Sequence, residues 1–240
     1  MKLRLKLSRL TLRGLMVSFI LNSTFFVLTI FLSGEAKGEK MIKLPKPQTK
    51  GKVSLEEAIN RRSSVRNYSS KPLTLIQLSQ ILWAAGGKRV DAATEASRTI
   101  PSAGALYPLE IFVLAGKVED LKEGLYQYHH IDHSIELLRE DDLRKELSRS
   151  AWGQDFLVQA PVDLVVVAEP SRTTGVYGER GERFIQIEVG HLGQNVSLQA
   201  EALGLSTCAV GAFDDDGVSK VLGLKKDLIP LYILPLGYGK

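Results

Sequence analysis

Arg61, Arg62 and Arg66 lie within six residues, with Ser63 and Ser64 between them. Guanidinium forks grip phosphate oxygens bidentately, and the two serines add hydroxyl or backbone donors. Further on, Pro101-Ser102-Ala103-Gly104-Ala105-Leu106-Tyr107-Pro108 is a run of small residues closed by prolines. Ser102 reads as an N-cap there, so that Ala103, Gly104 and Ala105 would offer backbone N–H groups at a helix N-terminus. A third run, Ala209-Val210-Gly211-Ala212, is small enough to lay bare backbone against a ring. Together the three suit a flat, phosphorylated cofactor. Taken singly each has a plainer reading: a solvated stretch, a turn entering a strand at Leu109, and a strand end beside a packed Cys208.

These runs need elements to position them. Ser54-Leu55-Glu56-Glu57 and Thr74-Leu75-Ile76-Gln77 are capping boxes, which predict a short helix through Asn60 and a second ending at Gly86-Gly87. Leu109–Ala115 and Val162–Ala168 are β-rich apolar runs, and 124–138 reads as a hairpin. Asp141–Ser150 suggests a charged surface helix. Glu182–Leu203 predicts the longest helix, with Ile185, Val189, Leu192 and Val196 on one face. Ser206–Phe213 and Leu231–Tyr238 read as two further strands. Strands interspersed with helices, without a strict βαβ rhythm, predict an α+β fold.

His129, His130 and His133 cluster in the hairpin turn with Asp132 as the one nearby carboxylate, and read as structural or exposed rather than metal-binding. His191 reads as a core residue of the long helix. The sequence holds neither a nucleotide-hydrolase phosphate loop nor a Gly-x-Gly-x-x-Gly run, and its serines lack nucleophile-elbow spacing. Hydrolysis is therefore unsupported.

Charge is divided unevenly. Residues 1–52 hold eleven Lys/Arg against Glu35 and Glu39, a net of +9 that leaves 53–240 at −5 within a whole-chain +4. A mildly acidic body argues against nucleic-acid binding. The single Cys208 rules out an intramolecular disulfide. Residues 1–13 carry five positive charges and no acid, an apolar run follows over 15–32, and small residues stand at Gly34 and Ala36. That pattern predicts a signal peptide or membrane anchor over 1–36, hence an exported or membrane-anchored protein on the extracytoplasmic side. Residues 37–52, rich in Lys, Gly and Pro, read as a basic flexible linker, and 53–240 as the functional domain.

In order, these pieces resemble the flavin-dependent nitroreductase family, and most of all its SagB-type branch of azoline dehydrogenases. The matching residues are Arg61–Arg66, Pro72-Leu73-Thr74 with 78–86, Pro101–Pro108, Gly124-Leu125-Tyr126, Glu188–Asn195 running on to Gly204-Leu205, and Pro235–Tyr238. The resemblance implies a nitroreductase-like α+β fold, with a mixed central sheet flanked by helices. It also implies a homodimer with long helices at its interface and one FMN per subunit at the seam. Arg62, Ser63, Ser64 and Arg66 would contact the FMN phosphate, ribityl chain and ring edge; the doubled serine leaves a one-residue ambiguity that keeps Arg61 a candidate. Pro101, Ser102, Ala103, Gly104 and Ala105 would face the flavin, and Ala209, Val210, Gly211 and Ala212 would lie near its N5 edge. Lys240 or an N-terminal arginine would stand in for a phosphate-binding Lys-x-Arg pair. Ala105 replaces the asparagine common in the family, a departure that suits the SagB-type branch.

The leading expectation is an FMN-dependent oxidoreductase. It would pass hydride or electrons through flavin N5 in a ping-pong cycle between a small-molecule donor, such as NAD(P)H, and an acceptor. No side-chain catalyst is legible, because the flavin carries the chemistry. Two other readings stay open: a SagB-type dehydrogenase oxidising azoline rings on a peptide, and a membrane-tethered flavin-binding module without turnover.

Overall fold

Both capping boxes form. In the computed structural model, which describes residues 41–91 and 97–240, Ser54 and Glu57 exchange side-chain and backbone hydrogen bonds at the start of α1 (Leu55–Arg61). Thr74 and Gln77 do the same at α2 (Leu75–Gly86). Each box satisfies two of the N–H groups that a helix start leaves unbonded. The leader expected over 1–36 lies outside the described residues. Among the described residues, no helix is long and apolar enough to cross a membrane.

Among the described residues, seven strands form one sheet in the order β1-β4-β3-β2-β5-β7-β6. They are β1 (Met41–Lys43), β2 (Leu109–Ala115), β3 (Gly124–His129), β4 (Ser134–Arg139), β5 (Val162–Ala168), β6 (Ser206–Thr207) and β7 (Ile229–Gly237). The named strands pair antiparallel. Parallel contacts come at the isolated bridges Ser64↔Thr207 and Leu73↔Val118, which give the sheet its mixed character. Alternate residues of β5 face opposite sides. Leu164 and Val166 meet α2 and the 23-residue α6 (Arg180–Ala202). Val165 and Val167 meet α3 (Arg144–Ser150), α4 (Phe156–Gln159) and α7 (Asp215–Leu222). Helices on both faces explain why every residue of β5 is buried.

Several expectations need correction. The basic linker expected over 37–52 is not free chain where it is described: β1 pairs with β4, Leu44 is buried, and the Gln48 amide donates to Gln80 Oε1. Pairing with a distant strand decided this, not local composition. The expected surface helix at 141–150 shortens to α3 and packs Leu147 fully into the core. The strand expected over 206–213 is two residues long, after which only Val210 returns to the sheet, bridging Ile233. Helix α5 (Ser171–Tyr177) carries no clear signal in the sequence, because two threonines, a glycine and a valine lower its propensity. His191 is exposed on α6 rather than in the core. His133 is structural as expected, its ring nitrogens held by the Tyr128 hydroxyl, Ser79 Oγ and the Pro45 carbonyl.

Asp163 on β5 is completely buried and neither carboxylate oxygen has a hydrogen-bond partner. Desolvation holds its pKa well above the usual carboxylate range, with Asp142 reinforcing and Arg144 opposing. The folded protein therefore keeps a proton that the unfolded chain releases above about pH 4. Stability falls as pH rises from there toward the elevated folded pKa, by ~1.4 kcal/mol per unit of elevation. Asp163→Asn should flatten that slope, as measured by urea denaturation at pH 4.5 and pH 8.

Candidate cofactor-binding site

The chain leaves α1 at Arg62, whose N–H caps the helix by donating to the Ala58 carbonyl at 3.0 Å. It then lies along β6, where the Val65 N–H donates to the Thr207 carbonyl at 3.1 Å. This geometry separates the adjacent arginines. Arg61 stays on the last turn of α1 in an exposed ion pair with Glu57 at 3.2 Å. Arg62 and Ser64 instead line a cleft of about 160 Å³, with Thr207, Cys208 and Ala209 on one side and Gly190, Gly193, Gln194 and Ser197 of α6 on the other. Tyr232 of β7 also lines it. A Cβ on Gly193 would stand 2.9 Å from the Tyr232 ring, so the close approach of helix and ring requires glycine.

The cleft is rich in unused polar groups. Arg62 and Arg66 make no ion pair among the described residues. Thr207 Oγ1 is buried without a hydrogen-bond partner. Cys208 is a free, buried thiol whose pKa burial pushes up, which suits a packed residue rather than a nucleophile. The last residues run beside the arginine loop: the Ser69 N–H donates to the Tyr238 carbonyl at 2.8 Å, and the Lys240 N–H to the Asn67 carbonyl at 3.0 Å. Lys240 is thereby placed next to the loop that carries Arg66. Ser63 and Arg66 are exposed and do not line the cleft.

The Pro101–Pro108 turn is built differently from the expectation. Ser102 makes no side-chain cap, and a single 3₁₀ turn spans Ala103–Ala105. Gly104 (φ 61°), Ala105 (φ 53°) and Tyr107 (φ 46°) are all left-handed. Each such non-glycine residue costs on the order of 1–3 kcal/mol and persists only where its surroundings enforce it. The Ser102 hydroxyl donates to Glu188 Oε2 of α6 at 2.5 Å and accepts from the Tyr107 N–H at 2.9 Å. Arg172 donates to the Tyr107 carbonyl at 3.0 Å and pairs with Glu110 and Glu169 at 2.6 Å. The Arg98 guanidinium sits 4.2 Å over the Tyr107 ring. Burial, reinforced by Arg98, Arg172 and His129, pushes His130 down to about 4, so it is neutral at physiological pH.

The arginine cleft and this turn do not meet within one chain. Successive α6 residues are rotated by about 100°, which places Glu188 on one flank of the core-facing strip and Gly190, Gly193, Gln194 and Ser197 on the other. Of the third run, Ala209 lines the cleft, Val210 is buried, and Gly211 and Ala212 are exposed. Sequence reasoning missed Tyr232 and Arg172, which no local pattern marks; Thr207 stood in the run before Ala209 and Arg98 just ahead of Pro101, each without a role. Glu188, Gly190, Gly193 and Gln194 did stand in the motif that carried the resemblance, but without a role.

The sequence profile of the nitroreductase family matches residues 59–238. A Methanocaldococcus jannaschii protein whose name places it among the nitroreductases is 44% identical over 185 residues, covering 77% of this chain and 91% of that one. The crystal structure of a Ralstonia eutropha protein described as a nitroreductase superposes with a TM-score of 0.73 at 31% identity, over 85% of this chain and 92% of that one. The microcin B17-processing protein McbC of Escherichia coli is 30% identical over 142 residues, 57% of this chain and 52% of that one. The chain belongs to the nitroreductase family and is an oxidoreductase. That membership favours an enzyme over a binding module without turnover.

Gly193→Ala should push the added methyl against Tyr232 and cost about 1–3 kcal/mol, the usual penalty for overpacking. Thermal and urea denaturation measure that cost, and a parallel Gly190→Ala variant, whose Cβ would meet nothing within 4 Å, should instead raise stability by up to about 1 kcal/mol through helix propensity.

Proposed function

We propose that the protein is an FMN-dependent oxidoreductase, with the phosphate held by Arg62, Arg66 and Lys240. The observation that carries this reading is Arg62, without an ion pair among the described residues, lining one cleft with the orphaned Thr207 hydroxyl and bare helix backbone, while Arg66 and Lys240 lie on the adjoining loop and tail. Guanidinium groups without carboxylate partners match a phosphate. The Thr207 and Ser64 hydroxyls suit a polyol chain or the polar edge of a ring, and Tyr232 beside Gly193 offers a flat wall. When bound, the flavin supplies two-electron redox chemistry, accepting electrons from a donor such as NAD(P)H and passing them to a second small molecule in turn. The chain's own residues would bind and orient it, with Arg62 toward the phosphate and Tyr232 and the α6 backbone shielding one side from water.

The cleft volume supports a homodimer. About 160 Å³ falls short of the ~300 Å³ at the lower end of cofactor sites, so a second wall is needed. Exposed Leu55 and Ile59 lie four residues apart on α1, which packs against α6, where Ile187 is also exposed. The resemblance implies a cofactor at the seam of such a dimer, where the Pro101–Pro108 turn of a second copy would complete the cleft that one chain by itself leaves open. Export or membrane anchoring through residues 1–36 is likewise proposed from the leader, and the mass of the mature N-terminus tests it.

Full-length protein should bind FMN and show a flavin band near 450 nm. Arg62→Ala and Arg66→Ala should each weaken FMN binding by roughly 10- to 100-fold, the size of a lost hydrogen bond to a charged group. Riboflavin, which lacks the phosphate, should be affected much less, and Arg61→Ala should change neither. Protein that stays colourless after incubation with FMN overturns the reading.

The similarity to McbC supports a second reading, oxidation of azoline rings on a peptide. Mass spectrometry should then show a 2 Da loss per ring when the flavin-loaded protein meets an azoline-bearing peptide. An unchanged mass alongside normal turnover of small acceptors eliminates that substrate.

A further inference from the structure

We propose that Glu188 is a positioning residue that holds the Pro101–Pro108 turn in its working conformation through the Ser102 hydroxyl. The proposal rests on the flavin reading above, in which this turn faces the ring.

The bond from the Tyr107 N–H to Ser102 Oγ closes the loop across five residues and holds Tyr107 at φ 46°. Because Ser102 accepts that bond, its own proton points elsewhere, and Glu188 Oε2 receives it. Without the carboxylate the hydroxyl is free to rotate, and the closing bond loses its fixed acceptor direction. Glu188 sits near the middle of α6 and is 3% exposed, so its backbone and burial leave it little freedom. Its other oxygen, Oε1, is buried with no partner. A half-satisfied buried carboxylate is costly to keep, whereas an apolar side chain would pack there without that cost. Stability alone therefore does not account for glutamate at this position. What the carboxylate does provide is a rigid link from the long helix to a left-handed turn whose tip, Gly104 and Ala105, is exposed. Arg172 anchors the Tyr107 carbonyl independently from α5, so loss of the Glu188 contact should loosen the turn without unfolding the domain.

The test compares Glu188→Ala, Glu188→Gln, Ser102→Ala and the Ser102→Ala/Glu188→Ala double variant in the full chain. Hydrogen exchange at the Tyr107 amide is measured without flavin. The FMN dissociation constant, the shape of the visible flavin bands and urea stability are measured separately. Glu188→Ala and Ser102→Ala should each speed Tyr107 exchange and weaken FMN binding by about tenfold, with altered flavin bands. The double variant should be no worse than the worse single one, since both break one chain of contacts. Glu188→Gln keeps a carbonyl acceptor and should stay within about threefold of wild type. Should Glu188→Ala misfold, Ser102→Ala on the solvent-facing turn still reads the same contact. Unchanged Tyr107 exchange in both alanine variants overturns the proposal. So does lowered urea stability with normal FMN affinity and band shape, which would make the contact merely structural. Wild-type protein that takes up no FMN overturns the flavin reading and this proposal with it; that failure is distinguished because the exchange comparison needs no flavin.

Discussion

Helix α6 must satisfy three neighbours with one periodicity. At 3.6 residues per turn, Ile185, Val189, Leu192 and Val196 share a strip that seals one face of the sheet. The strips on either side are committed by that geometry. One carries Glu188 and the Ser102 contact, and the other carries the glycines and polar residues of the arginine cleft. A shift of one residue in the helix would rotate all three strips by about 100° and break each contact at once. The site is therefore as well fixed as the core, because the same backbone sets both.

The sheet complements this arrangement by ending early where function needs room. β7 is long and well buried toward its end, whereas β6 pairs with it for only two residues. Past Thr207 the chain leaves the ladder, returns once at Val210, and leaves Ala209 facing the cleft.

Buried charge is confined to places where a partner or a proton can neutralise it. Arg144 is bonded by both Asp142 oxygens and by the Ala160 carbonyl. Asp163, without such partners, is pushed toward its neutral form by desolvation. Glu188 is the intermediate case: burial raises its pKa while the Ser102 hydrogen bond and Arg98 lower it. Its half-bonded state marks it out from the structural ion pairs, which lie mostly at the surface and contribute little.

Local signals in the chain determined much of the architecture. The two capping boxes, the apolar runs of β2 and β5, the hairpin and the periodicity of α6 follow from short-range chemistry, because caps and amphipathic periods are satisfied within a few residues. The arginine-serine run was equally legible as a phosphate candidate, since guanidinium geometry does not depend on the fold. Tertiary structure alone decided which arginine of the pair enters the cleft, because the end of α1 turns Arg61 outward to Glu57 and Arg62 inward. It also decided that Thr207 and Tyr232 share that cleft, and that Ser102 answers to Glu188 rather than to a helix start. These contacts join residues far apart in sequence, whose approach is fixed by sheet order and helix rotation, and nothing in the local composition records either one.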